Sequence, residues 1–382
     1  MAGIYIHIPF CKQACHYCDF HFSTQLKNKQ LVLEAINAEI KMQRDFLNGN
    51  SISSIYFGGG TPSLLEKAEI EQILESIHQQ YQVDEGVEIT LEANPDDLNE
   101  KKLAEFSDTP VNRLSIGIQS FHDPYLKFMN RAHNASEADH CVAMALAAGF
   151  QNLTIDLIYG VPSENHDIWL KDIEETLASG VSHISAYCLT IEPNTVFGNW
   201  LQKNKIKAID DEFSAEQFEI LCEELTKHGF TQYEISNFCK NDQYSRHNSS
   251  YWKGHKYLGI GPSAHSFDGQ QRQFNVAHNQ KYIQSIQEGA IPCTVEKLSQ
   301  AQVANEYLLT TLRTIWGSSL VSLDEKFNGW SGKFEKQLDK LINAGLLTID
   351  QEMIYLTQKG KLVADEITLQ LFVEEDNESA PT

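Results

Sequence analysis

The chain has 382 residues, 42% of them hydrophobic, and 52 Asp and Glu outnumber 30 Lys and Arg, for a net charge of -22. That size and apolar content suffice to bury one large core and a small second one. The charge repels polyphosphate and argues against nucleic acid as a partner. No run of eighteen apolar residues occurs, so no segment is expected to span a membrane. The apolar start "MAGIYIHIPF" lacks the basic flank and cleavage site of a signal peptide, and the cytoplasm is the expected compartment. Cys141, Cys188, Cys222, Cys239 and Cys293 stand singly, which is the pattern of reduced thiols and not of a disulfide framework.

In chain order, short β-type runs recur: "GIYIHIP" from Gly3, "SSIYFGGG" from Ser53, "VEITLEANP" from Val87, "NRLSIGIQS" from Asn112, "NLTIDLIYGVP" from Asn152 and "SHISAYCLT" from Ser182. Between them lie stretches with helical spacing of apolar residues, such as "KQLVLEAINAEIKMQRDFL" and "LLEKAEIEQILESIHQQY". Strand then helix, six times over, predicts a parallel α/β array over 1–230, either barrel-like or open and doubly wound. In both, chemistry gathers at the C-terminal ends of the strands. The cysteine stretch, "GGGTP", "EANP", "GIQS" and "DLIYGVP" all fall at such ends, which points to one large site. Beyond residue 230 the alternation stops. Residues 231–298, with "YEISNFCK", "RHNSSYW" and the Gly-rich "YLGIGPSAHSF", are expected as an irregular cover against the open side of the barrel. His265 in the last of these reads as a satisfied loop histidine. Residues 299–373 return to helical spacing around a short strand-like "MIYLTQKG", and the acidic tail 374–382 has the composition of a disordered segment.

Cys11, Cys15 and Cys18 lie within eight residues of one loop. A structural zinc site draws four ligands from two separated pairs, although His16 or His21 could complete one here. Plain buried thiols do not require this spacing. An iron–sulfur cluster does use closely spaced loop thiolates, and three ligands leave one iron of a four-iron cube free for chemistry. Glycines in "GGGTP" let backbone N–H groups approach a ligand, although alone they mark only a tight turn.

Cys-x3-Cys-x2-Cys after a first strand, with Tyr17 before the third cysteine, resembles the signature of radical S-adenosylmethionine (SAM) proteins. The resemblance implies a partial (β/α)6 barrel and a 4Fe–4S cluster whose open iron holds the amino and carboxylate groups of SAM. It narrows to the oxygen-independent coproporphyrinogen III dehydrogenase group through "YIHIPFC", "FGGGTPS", "LEANP", "SIGIQSF", "MNRAH" and "DLIYGVP". Tyr5, Tyr17, Gly59, Gly60, Thr61, Glu92, Gln119, Arg131 and Asp156 match positions that contact SAM in such proteins. Carboxylates can accept from an ammonium or ribose hydroxyls, and Arg131 offers a fork to a carboxylate. The same group ends in a small winged-helix-like α domain.

Dehydrogenases of the group look like Cys-x3-Cys-x2-Cys-x-Cys, whereas here Phe20 takes the last place. That departure resembles the sister branch of haem chaperones. So does "HNSSYW", in which His247 is implied as an iron ligand with Tyr251 and Trp252 as flat surface for a porphyrin. The chaperone resemblance implies haem as cargo, a haem donor, haem-accepting apoproteins such as those of the respiratory chain, and a homodimer. The alternatives are coproporphyrinogen III dehydrogenase itself, an oxidative decarboxylase, or a radical SAM enzyme on another substrate.

Overall fold

In a computed structural model that describes residues 1–374, six parallel strands follow one another across a curved sheet: β1 (Ala2–Ile8), β2 (Ile52–Gly59), β3 (Val83–Ala93), β4 (Arg113–Gln119), β5 (Leu153–Tyr159) and β6 (His183–Cys188). The helices α1 (Lys29–Met42), α2 (Lys67–Gln80), α3 (Glu100–Ser107), α4 (Asp123–Phe128), α5 (Ala135–Ala147), α6 (Asp167–Ala178), α7 (Val196–Gln202) and α8 (Asp211–Lys227) alternate with them. From residue 375 onward, the acidic tail lies outside the described residues.

The period of two along each strand decides which side chains form the wall and which form the lumen. Ile4, Ile6 and Ile8 of β1 are fully buried toward the helices, each worth about 1.5–3 kcal/mol of burial. Gly3, Tyr5 and His7 turn inward, in register with Ser54, Tyr56 and Gly58 of β2. On α1 the spacing of Val32, Leu33, Ile36 and Ile40 gives the apolar stripe that covers this wall. Helices α2 and α5 start with reciprocal capping boxes, Glu66 with Glu69 and Asn134 with Glu137.

The segment expected to be an irregular cover is regular instead. Residues 231–298 supply six strands that lengthen the sheet at both edges: β7 (Thr231–Glu234), β8 (Asn237–Cys239), β9 (Lys256–Ile260), β10 (His265–Phe267), β11 (Gln271–Asn275) and β12 (Cys293–Lys297). β8 runs antiparallel to β6, so it ends beside His183, at the start of β6. β9 runs parallel to β1 and pairs Lys256 with Ala2, at the start of β1. The connection therefore crosses the N-terminal mouth of the barrel, and helix α9 (Arg246–Trp252) lies there as a plug. Helix α10 (Asn279–Gln287) backs the extension. Buried Glu39 of α1 ties it down, accepting from Tyr282 (2.6 Å), Asn275 (2.7 Å) and the Gly261 N–H (2.9 Å).

The C-terminal part has its own apolar core around Trp330, Leu308, Leu323 and Ile354. It comprises α11 (Gln300–Thr311), β13 (Ser318–Ser319), α12 (Leu320–Lys326), α13 (Trp330–Asn343), β14 (Leu347–Asp350), β15 (Met353–Leu356), α14 (Gln358–Lys361) and α15 (Ala364–Gln370), with the strands ordered β13-β15-β14. That is the helix, helix, wing and helix arrangement anticipated. Arg313 joins it to the barrel through Glu234 (2.7 Å) and the Trp252 ring. Among the described residues no helix is long and apolar enough to cross a membrane.

Candidate functional site

The loop after β1 carries the three cysteines and is clamped at several points. His16 N–H donates to Met129 O, Asn130 Nδ2 to Ala14 O (2.7 Å), and Gln13 Nε2 to Asn130 O (2.9 Å). Asn130 takes a left-handed φ of 56° to make this fit. Lys12 holds the other side through Asp96 (2.8 Å) and Asp97. Cys11, Cys15 and Cys18 each remain partly accessible and line one cavity of about 470 Å3. Burial pushes the Cys11 thiol up to about 11 and the Cys18 thiol to about 12, so without a metal both stay protonated. Among the described residues no three His, Cys, Asp or Glu converge on one metal ion. Three thiols facing a single cavity form a donor set that suits a multi-iron cluster.

The "GGGTP" turn lies against this loop. Gly60 N–H donates to Ile8 O and Thr61 N–H to Phe10 O. A Cβ on Gly60 would come within 2.6 Å of Phe10 O, and one on Gly59, at φ 106°, within 2.6 Å of the His7 ring. Only glycine lets the turn close this tightly.

Opposite, two half-buried carboxyls face the cavity without a cation in contact. Glu92 accepts from Tyr56 OH (2.8 Å) and Gly59 N–H (3.2 Å), and burial raises it to about 7, with the charge of Asp156 adding to the shift. Asp156 accepts from Ser115 (3.2 Å) and is raised to about 6, again chiefly by burial. Arg131 is aimed across the cavity, with Nη2 on Asn94 and Gly117 O (both 2.7 Å) and Nη1 on Tyr17 OH (3.2 Å) and Cys15 Sγ (3.4 Å). Its Nε is buried with no partner. Gln119 is held at φ 69°, a strained position for a non-glycine residue at a strand end. A cavity of this size with anionic, cationic and glycine-lined sectors accommodates one ligand of a few dozen atoms that carries both charges.

Of the residues expected to contact SAM, Tyr17, Gly59, Gly60, Thr61, Glu92, Gln119, Arg131 and Asp156 all line this cavity with the cysteines. Tyr5 does not. It lies one rung lower, beside the stacked Tyr56 and His247 rings, with its hydroxyl 3.3 Å from His7 Nδ1. Asn94, Ser115, Tyr187 and Asn248 line the cavity although the sequence reading did not name them. "EANP" held the signal for the first. Phe20, in the place of a fourth cysteine, stands 68% exposed at the rim.

His247, Tyr251 and Trp252 are away from any cover. His247 is 1% exposed, with Nδ1 2.9 Å from Ser54 Oγ and Nε2 2.8 Å from Tyr251 OH. A neutral imidazole has one donor and one acceptor nitrogen, and both are committed here. Burial lowers the ring to about 3. Buried Glu88 accepts the N–H groups of Arg246 (3.1 Å) and His247 (3.0 Å) and so fixes the start of α9. Tyr251 meets Tyr257 edge-on, and Arg313 covers the Trp252 ring at 5.0 Å.

Residues 5–176 match the model of the radical SAM superfamily. The chain is 35% identical to "Heme chaperone HemW" of Bacillus subtilis over 96% of this chain and 98% of that one. It is 31% identical to the protein of the same name from Mycobacterium tuberculosis, over 97% and 94%. The solved coproporphyrinogen III oxidase (HemN) of Escherichia coli, a radical SAM enzyme, shares the fold with a TM-score of 0.82 at 22% identity, over 97% of this chain and 90% of that one. A cysteine loop, glycine turn and buried carboxyl pair around one cavity, together with end-to-end likeness to these relatives, mean that the chain belongs to the HemW family of radical SAM proteins.

Proposed function

We propose that the protein is a cytoplasmic haem chaperone that carries a SAM-binding 4Fe–4S cluster and hands haem to apoproteins. End-to-end likeness to the HemW relatives supports this reading, and Phe20 carries it. Where a dehydrogenase of this fold would place a fourth thiol, the chain exposes a phenyl ring that can bind no metal.

Cys11, Cys15 and Cys18 would hold the cluster. When bound, it supplies an open iron for the methionine end of SAM and an electron. The protein's own part is to receive the rest of SAM. Arg131 orients the carboxylate, Glu92 and Asp156 accept from the ammonium or ribose hydroxyls, and Gly59, Gly60, Thr61, Tyr17 and Gln119 shape the walls, with Tyr5 bracing Tyr56 from below. The two raised carboxyls support this, because an approaching cation offsets the cost of ionising them in a buried place.

Haem is the cargo, with α9 as the segment that presents it. Tyr251 and Trp252 offer ring surface, and His247 offers an imidazole only when α9 leaves its seat, since both nitrogens are otherwise engaged. A donor passes haem in, apoproteins of the respiratory chain receive it, and a homodimer is the working form. Anaerobic reconstitution followed by haemin titration and coproporphyrinogen III turnover on one sample tests the reading. Stoichiometric haem uptake without turnover is expected, and turnover at enzymatic rates would replace the chaperone with a dehydrogenase.

A further inference from the structure

A line of buried polar side chains leads from the cysteine cavity to the C-terminal part. It starts at Asp156 of β5, which pairs with Ser185 in the register of β6. Ser185 Oγ donates to Asn237 Oδ1 of β8 (3.0 Å), and Asn237 Nδ2 donates to Glu234 Oε2 at the end of β7 (2.6 Å). Glu234 Oε1 accepts from Arg313 Nε (2.7 Å), across the joint to the C-terminal part. Ser185, Asn237 and Glu234 are each 2% exposed, so solvent cannot stand in for any of these bonds.

The chemistry of each group decides which way the protons point. Glu234 takes three N–H donors, Arg313 Nε, Asn237 Nδ2 and the Ser236 backbone (3.0 Å), and acts there only as an acceptor. Asn237 therefore turns its amide nitrogen to Glu234 and its oxygen to Ser185. That leaves Ser185 with one proton and two acceptors, because its hydroxyl also meets Asp156. While Asn237 takes the proton, Ser185 shows Asp156 a lone pair, and Ser115 (3.2 Å) remains as the hydroxyl donor to that carboxyl. The other titratable or charged groups facing Asp156 are Tyr56 of β2, Glu92 of β3, Arg113 of β4, Arg131, and Tyr187 of β6, whose hydroxyl brings its own proton to Ser185. At the far end the joint holds Arg313 in place. The Ile235 N–H donates to Arg313 O (3.1 Å), the Ile315 N–H to Tyr233 O (3.0 Å), and Lys361 Nζ to Gln232 Oε1 (2.8 Å).

We propose that Glu234 and Arg313 are positioning residues for the SAM cavity: acting through Asn237 and Ser185, they turn one hydroxyl proton away from Asp156 while the C-terminal part is docked. When Arg313 leaves, a proton on Glu234 replaces the lost cation, and its O–H donates to the Asn237 oxygen. The amide turns over, and the Ser185 proton goes to Asp156. There it steadies the carboxylate, the form that best accepts from an ammonium or a ribose hydroxyl. Docking of the C-terminal part and SAM binding thus oppose each other, each shifting the other by the same factor. The proposal rests on the SAM reading above for its ligand, whereas the direction of the proton can be read without one.

Glu234→Gln is the direct probe, since its amide keeps an oxygen for Arg313 and sets an NH2 group before Asn237. In full-length, cluster-free protein, carbon-13 NMR of the aspartate carboxyls follows Asp156, assigned by its loss in Asp156→Asn. Asp156, raised to about 6 in the parent protein, should titrate about one pH unit lower in Glu234→Gln. Arg313→Met, at the partly exposed end of the line, should act in the same direction. Ser185→Ala removes the mobile proton, and in that background neither change should move Asp156. In cluster-loaded protein the acidic limb of SAM affinity, read by calorimetry, should follow the Asp156 titration, and SAM should speed hydrogen exchange at Ile235 and Ile315. A shift of equal size without Ser185 would overturn the proposal, because the Glu234 charge would then act through space. An Asp156 titration unmoved by Glu234→Gln and by Arg313→Met would overturn it too. A shifted titration in a protein that binds no SAM would leave the proton switch standing and defeat the SAM reading instead.

Discussion

The cysteine cavity above α9 and a second cavity below it, at the N-terminal mouth of the barrel, are built on opposite terms. The upper one is assembled from loops at the C-terminal ends of the strands, and its deepest charges are the carboxyls Glu92 and Asp156, both raised by burial. The lower one is walled by a single helix and the starts of strands, and Arg246 and Lys253 supply its cations. A ligand with an ammonium suits the first, whereas the second sets Asp84 and Asp242 beside its cations. One seven-residue helix contributes residues to both.

The largest expected effect empties the upper one alone. Replacing Cys11, Cys15 and Cys18 with Ala should reduce cluster iron and sulfide to about zero, because the cube loses every protein thiolate. Haemin uptake should be unchanged. Iron analysis and Soret titration on the same preparation check this, and joint loss of both ligands would tie haem to the cluster.

Next is α9 itself. Glu88→Ala leaves the Arg246 and His247 N–H groups without their acceptor. At roughly 2 kcal/mol for the buried His247 donor and little for the Arg246 donor, which water can reach, stability should fall by about 2 kcal/mol. Denaturant unfolding measures it. The variant should bind SAM more weakly, since Asn248 of the same helix lines the upper cavity.

A pH experiment sharpens the upper cavity alone. Glu92 titrates at 4.5 in an unfolded chain and at about 7 in the fold. Between those values the folded state holds a proton that the unfolded state has released, so this group's contribution to stability declines as pH rises through the window. Glu92→Gln does not ionise. In SAM-free protein it should match the parent at pH 4 and exceed it at pH 8 by up to about 3 kcal/mol, while binding SAM more weakly. Thermal melts at the two pH values decide the matter.

The smallest effect is at the guanidinium that spans the cavity. Arg131→Ala should weaken SAM by about 2 kcal/mol, roughly thirtyfold in Kd, by removal of a charged donor. Calorimetry on cluster-loaded protein reads it, and haemin affinity serves as the internal control.

The upper cavity was legible because strand direction alone brings its parts together. "GGGTP", "EANP" and the cysteine loop each follow a parallel strand, so their convergence needs no knowledge of side-chain packing. Tyr5 was misplaced by one rung: its inward direction follows from the period of two, but its height along the barrel does not reveal which residues cover it. The site of "HNSSYW" was hidden for a different reason. It depends on β8, three residues long, running antiparallel to β6 and leaving the chain at the far mouth, and "NFC" has too few residues to announce a strand. Asn248 took on meaning only after α9 had been placed beneath the upper cavity.

The pairing of β1 with β9 makes the first strand of the chain an interior strand of the finished sheet. During synthesis at 5–20 residues per second, β1 waits about 10–50 s for residues 256–260 to appear. Through that interval the row of backbone N–H and C=O groups on one side of β1 has no partner, beside Ile4, Ile6 and Ile8. Such an edge is a template for pairing with other chains. Nascent or truncated chains that stop short of β9 are therefore expected to be the aggregating species, and those that reach α10, where Tyr282 closes onto Glu39, to be the soluble ones.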